Sequence, residues 1–281
     1  LTIMTDTQVF TVTSLPIEAI LPDLLATLRQ TNTAILQAPP GSGKTTRVPL
    51  ALLQEKTDWL QERRILLLEP RRLAARAAAQ YMAKQLGERV GLSVGYRTRL
   101  DSNISGTTRI EVVTEGILLR MIQDDPELSR YGAVIFDEFH ERNLSSDLGL
   151  ALTRECQSVF RSDLRLLLMS ATLDSEPLSQ LLDNAPVLHC PGRQFPVSVS
   201  YAPAGRTPLL DHCAHMVTQT LQRETGSILV FLPGESEIRR LQALLMHRLP
   251  DGTQLCPLYG QLSQDEQDAA ISAPIKGQRK V

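Results

Sequence analysis

Two short stretches of this chain hold residue types that could do chemistry together. The first is Ala38-Pro39-Pro40-Gly41-Ser42-Gly43-Lys44-Thr45-Thr46. It follows an apolar run and leads into a helical segment, the setting of a phosphate-binding loop. Glycines there let backbone N–H groups curl around an anion, a lysine reaches the outer phosphates, and a hydroxyl meets the metal. Gly41, Ser42, Gly43, Lys44, Thr45 and Thr46 form the candidate cradle, with Thr45 as a Mg²⁺ ligand and the new helix offering its positive end. Ala38 stands where such loops usually begin with glycine, but the cradle itself is built from Gly41 onward. The second stretch, Asp137-Glu138-Phe139-His140, closes the apolar run Ala133 to Phe136. A carboxylate at the C-terminal edge of a strand faces the ligand crevice of an open α/β sheet. Asp137 is therefore the second candidate metal holder, and Glu138 is the separate carboxylate that could orient and deprotonate water. Lys44, Asp137, Glu138 and His140 are the candidate catalytic set, and hydrolysis of a nucleoside triphosphate is the chemistry they suit.

Such residues need a sheet to position them. Short apolar runs alternate with segments of helical period from Thr33 onward, the rhythm of a parallel sheet wrapped by helices. Strands are expected at Ala34 to Gln37, Ile65 to Glu69, Ile110 to Val113, Ala133 to Asp137, Leu164 to Met169 and Ile228 to Leu232. Helices are expected at Arg71 to Leu86, stopped by Gly87, from about Ser145, at Leu209 to Gln222 and at Glu235 to Arg248. Pro191, Gly192, Pro196, Pro203, Gly205 and Pro208 gather in one stretch, where regular structure should thin out. The expected domains are thus 1–195 and 196–281, the second short for a complete α/β domain.

Composition narrows the class. With 281 residues, 42% hydrophobic and 21% charged, the chain can bury sizeable cores and has no fibrous or low-complexity bias. A net charge of −2 excludes bulk attraction to nucleic acid and leaves only a local basic strip. Four scattered cysteines without a Cys-x-x-Cys pair suit a reducing cytoplasm. No apolar run approaches the roughly 18 residues needed to span a bilayer, so no membrane association is expected.

Further blocks recur in a fixed order: Pro70-Arg71-Arg72 with Ala74-Ala75, Thr114-Glu115-Gly116-Ile117-Leu118-Leu119-Arg120, Ser170-Ala171-Thr172, Phe231-Leu232-Pro233-Gly234, and Leu258-Tyr259-Gly260 with Leu262. With the two stretches above, they resemble motifs Ia, Ib, III, IV and the following segment of the DEAH/DExH helicases of superfamily 2. Phe139 departs from the alanine of the namesake motif, and the upstream glutamine motif of DEAD-box proteins is not evident.

The resemblance implies an α/β P-loop NTPase with a RecA-like parallel sheet flanked by helices, followed by a second, incomplete RecA-like domain. It implies ATP and Mg²⁺ as cofactors and single-stranded RNA or DNA as partner. Arg71, Arg72 and Thr114 would grip phosphates, fixing register without reading bases. Ser170 and Thr172 would couple hydrolysis to domain movement, and Tyr81 would stack on the nucleotide base or pack on the sheet. The chain is expected to act as a monomer and to stop before motifs V and VI, whose arginines stabilise the transferring phosphoryl group, so that it should bind nucleotide better than it turns it over. An ATP- and nucleic-acid-binding module with little turnover, or a motor on DNA, is the alternative to an RNA helicase core. His212, Cys213 and His215 lie close in sequence, but a helix burying Leu209, Leu210, Cys213, Val217 and Leu221 turns the histidines outward, so no structural metal is expected.

Overall fold

A computed structural model of the chain describes residues 15–55, 57, 59–171, 175–191 and 197–281. It divides into two compact units, Leu1–Phe195 and Pro196–Val281.

In the first unit the described residues form an eight-stranded sheet: β1 (Thr33–Gln37), β2 (Arg64–Leu68), β3 (Val94–Arg97), β4 (Ser102–Asn103), β5 (Ile110–Val113), β6 (Tyr131–Phe136), β7 (Arg165–Ser170) and β8 (Val187–His189). The spatial order is β4-β3-β5-β2-β6-β7-β1-β8. Every pairing is parallel except β3 with β4. Strand residues point alternately to opposite faces, so each apolar strand feeds two cores. One face takes Ala34, Leu36, Ile65, Leu67, Ile135 and Met169, together with residues of α1 (Leu21–Gln30), α2 (Lys44–Gln54) and α3 (Arg72–Gln85). The other takes Ile35, Leu66, Leu68, Val134, Phe136 and Leu168, with α4 (Glu115–Asp124), α5 (Leu144–Val159) and α6 (Ser175–Leu181). Strands buried on both sides must read as continuous apolar runs, which is why Ile65 to Leu68 and Leu166 to Met169 carry no polar alternation.

The alanines of α3 at positions 75, 78, 79 and 83, with Met82, are buried and let the helix lie close to the sheet. Gly87, at φ +71°, follows its end, and the Gly87 N–H bonds to the Lys84 carbonyl at 3.0 Å. Tyr81 lies on the opposite side of α3, 47% exposed, so it does not pack into the sheet.

The second unit holds α7 (Leu209–Arg223), α8 (Glu235–Leu245), α9 (Gln264–Ile271) and two paired strands, β9 (Thr253–Gln254) and β10 (Arg279–Lys280). Its core is a small cluster of Ala214, Val217, Leu221, Leu241 and Leu245. Leu209, expected in the buried stripe of α7, is exposed instead. Residues 228–232, expected to be a strand, are not in a ladder. Ile228 N–H bonds to the Lys280 carbonyl at 2.8 Å, but the residues after it are unpaired with a strand, and Leu229 and Phe231 are 74% and 86% exposed. An apolar run becomes a strand only where a neighbour meets its backbone groups, and that condition is not contained in the run itself.

Candidate nucleotide site

The C-terminal ends of β1, β2, β6 and β7 meet along one edge of the first sheet. From β1 the chain turns through Gly41 and Gly43, at φ +74° and +93°, a left-handed conformation that glycine adopts without a Cβ clash. A Cβ on Gly43 would also stand 2.7 Å from Leu15 Cδ1 and 3.3 Å from Ile17 Cγ2. Ile17 is fully buried behind the loop, and its N–H bonds to the Ser42 carbonyl at 3.2 Å. Gly43 then caps α2, whose first residue is Lys44.

Ninety-four positions later in the chain, Glu138 meets that lysine: Lys44 Nζ lies 2.8 Å from Glu138 Oε1. The Thr45 hydroxyl donates to Asp137 Oδ2. The two stretches singled out from the sequence therefore converge on one place. Asp137 is buried, its N–H bonded to the Leu68 carbonyl of β2 at 3.0 Å. Burial pushes its carboxyl up to about 6, against the opposing pull of Lys44 and the Thr45 hydroxyl. A hydroxyl and a carboxylate side by side are hard oxygen donors of the kind Mg²⁺ takes, so the residues fit that ion. The Ser42 and Ser170 hydroxyls are buried with no hydrogen-bond partner among the described residues, which suits polar groups lining a site for a polar ligand. Ser170 closes β7 beside the loop, its carbonyl accepting from Ala38 N–H at 2.8 Å. Thr46 turns its hydroxyl back toward the Gly43 carbonyl, 3.5 Å away.

His140 sits in the 3₁₀ turn Phe139–Glu141. Its Nδ1 is 3.4 Å from both Glu138 Oε2 and the Ala171 amide nitrogen. A bare nitrogen there accepts from the amide, and a protonated one donates to the carboxylate. The ring thus joins the acid pair to the end of β7. Thr172 lies outside the described residues.

Of the residues expected to hold a strand, Arg71 and Arg72 are exposed at the start of α3. Arg71 Nη2 lies 2.8 Å from Glu141 Oε1. Thr114 precedes α4 as a half-buried residue whose hydroxyl does not cap the helix.

One acidic group was not anticipated. Glu69, just past β2, is buried next to the acid pair, and burial first, then the charge of Asp137, pushes its carboxyl up to about 8. It accepts a hydrogen bond from Arg71 N–H at 3.3 Å. The sequence marks Glu69 only as a strand end; its place beside Asp137 follows from β2 and β6 being neighbours in the sheet.

A glycine-rich loop opening a helix from a parallel strand, faced by an acid pair at a nearby strand end, defines a P-loop nucleoside-triphosphate site on an α/β sheet. The DEAD/DEAH box helicase family model matches residues 18–181, and the chain belongs to that family. It is 49% identical over 269 residues to the ATP-dependent RNA helicase HrpB of Escherichia coli, covering 95% of this chain and 33% of that protein. The ATP-dependent RNA helicase HrpA of Borreliella burgdorferi is 32% identical over 276 residues, again 95% of this chain and 33% of the relative. The crystal structure of the Escherichia coli DEAH/RHA helicase HrpB superposes with a TM-score of 0.87 over 95% of this chain and 34% of that one. This chain therefore spans about a third of the length of the relatives it matches.

Proposed function

We propose that this chain is the nucleotide-hydrolysing part of a helicase core that uses ATP to move on or unwind single-stranded nucleic acid, with RNA as the preferred class. Residues 1–195 act as a first RecA-like domain and 196–281 as part of a second. The observation that carries the reading is the convergence of Lys44 with Glu138 and of Thr45 with Asp137 at one strand edge.

Lys44 exchanges its carboxylate partner for the outer phosphates of ATP, while loop N–H groups and the Ser42 hydroxyl face the phosphate chain. Thr45 and Asp137 would hold Mg²⁺, which when bound would supply positive charge against the phosphate oxygens. Glu138, released from Lys44, orients a water and takes its proton as the water oxygen attacks the terminal phosphorus; the bond from that phosphorus to the β–γ bridging oxygen breaks, and ADP and inorganic phosphate leave. His140 and Ser170 link this site to the end of β7. Tyr81, exposed on α3, is available to stack on a base. Arg71, Arg72 and Thr114 grip the phosphates of the strand, as sequence-independent contacts do. The preference for RNA rests on the two relatives, both ATP-dependent RNA helicases. Among the described residues no helix is long and apolar enough to cross a membrane. The described cysteines are free thiols, in keeping with work in a reducing cytoplasm.

Steady-state ATPase with single-stranded RNA, single-stranded DNA or neither tests the proposal. Stimulation by RNA beyond that by DNA is expected. A Lys44→Ala protein with unchanged ATP affinity would refute the assignment of the site.

A further inference from the structure

The turn that carries the acid pair is tied to the loop before α3 by an exposed ion pair. Arg71 Nη2 and Glu141 Oε1 are 2.8 Å apart, with the arginine side chain 73% exposed and the glutamate 30%. Glu141 ends the 3₁₀ turn, and its N–H bonds to the Glu138 carbonyl at 2.9 Å. Glu138 in turn holds Lys44. A continuous series of contacts, Arg71 to Glu141 to Glu138 to Lys44, thus connects the surface to the phosphate loop within the first unit.

That turn is held in place from outside. Glu138 and Arg142, which flank it, have φ of +50° and +38°, conformations that side chains other than glycine adopt only where the surroundings enforce them. Arg142 is fastened by two bonds to Asp147, at 3.0 and 3.1 Å, and lies over the Phe139 ring. His140 is fastened to Ala171. The Arg71–Glu141 pair is looser than the two-bonded Arg142–Asp147 pair: its arginine is the more exposed of the two, 73% against 57%, makes a single contact to its carboxylate, and stands at the start of α3.

We propose that Glu141 and the phosphates of a bound strand compete for Arg71, so that strand binding loosens the tether on the Glu138 turn. Glu141 is then a positioning residue, acting on the nucleotide site through Glu138 and on the strand through Arg71. The proposal rests on the reading of Arg71 as a strand contact given above. An exposed ion pair is weak and salt-screened, so a phosphate displaces the carboxylate at small cost. Because linkage is reciprocal, a nucleotide that shifts the turn alters strand affinity by the same factor by which the strand alters nucleotide affinity. This link needs no residue of the second unit.

The test is fluorescence anisotropy of a labelled oligouridylate at low salt, with and without Mg²⁺ and a non-hydrolysable ATP analogue. The proteins are wild type, Glu141→Gln, Glu141→Asp, Arg71→Ala and the Arg71→Ala/Glu141→Gln double variant. Glu141→Gln is expected to bind the strand about threefold more tightly than wild type, the weight of one exposed pair. The gain disappears in the Arg71→Ala background, Glu141→Asp behaves as wild type, and the factor by which nucleotide changes strand affinity shrinks toward one in Glu141→Gln. A gain of equal size without Arg71 reports only a through-space charge effect and overturns the proposal. So does an unchanged affinity in Glu141→Gln, or a wild-type strand affinity indifferent to nucleotide. Wild type that binds no strand overturns this inference and the strand-binding reading together, whereas wild type that binds with a flat mutant cycle overturns the inference alone.

Discussion

The roles of individual carboxyl groups at the strand edge differ because their surroundings differ. Glu138 is partly exposed and paired with Lys44, a group free to change partners. Glu138→Gln keeps the shape and removes the base, so nucleotide binding is expected to survive while turnover falls about 10²- to 10⁴-fold. Equilibrium binding set against single-turnover hydrolysis checks this, and comparable losses in both would remove Glu138 from the base role. Glu69 is held protonated to about pH 8 in the folded chain against an ordinary value of 4.5. Its favourable contribution is whole below about 4.5 and is lost as pH rises through the folded value, at roughly 1.4 kcal/mol per unit at most. Glu69→Gln should therefore gain stability relative to wild type as pH rises from 5.5 to 7.5, measured by urea unfolding. A difference that does not change with pH would show that the carboxyl is ionised in the fold. Lys44, Thr45, Asp137 and Glu138 were legible because loop and acid motifs carry their own spacing. Glu69 and the Arg71–Glu141 pair were not, since each depends on which strands become neighbours.

At the level of elements, local signals and tertiary conditions separate cleanly. The helix α5 begins where Asn143 Oδ1 accepts from Ser146 N–H at 2.9 Å, and the same side chain donates to Glu115 Oε1 of α4 at 2.6 Å. Asn143→Ala removes the cap and the bridge together and is expected to cost about 1–2 kcal/mol, read as a lowered thermal midpoint; an unchanged midpoint would mean that packing alone fixes the start of α5. The phosphate loop is less forgiving, because Gly43→Ala adds a Cβ where φ is +93° and Leu15 is 2.7 Å away. Nucleotide affinity should drop more than tenfold, by calorimetry, and wild-type affinity would mean the loop relaxes freely. Strands β2, β5, β6 and β7 were readable as apolar runs. By contrast β3, Val94-Gly95-Tyr96-Arg97, is interrupted by a glycine required for a reason invisible in sequence: a Cβ at Gly95 would come 2.5 Å from the Asn103 carbonyl of β4. The run from Ile228 to Leu232 erred the other way, apolar enough for a strand but without a ladder.

Across the whole molecule, the two units are unequally built. Among the described residues, the first has a core on each face of its sheet, and the second has one small cluster. Stability follows the apolar area buried, so amides of β1, β6 and β7 should exchange hydrogen far more slowly than those of α7 and α8, and the second unit should lose structure at lower temperature. Uniform protection across both would contradict this. Tyr201, Leu229 and Phe231 of the second unit leave large apolar faces in water, each more than 70% exposed, and residues 229–232 carry backbone groups outside any ladder. Such a bare seam is adhesive: concentrated solutions should scatter light and shed material, and a single charge at Phe231, as in Phe231→Lys, should keep them clear.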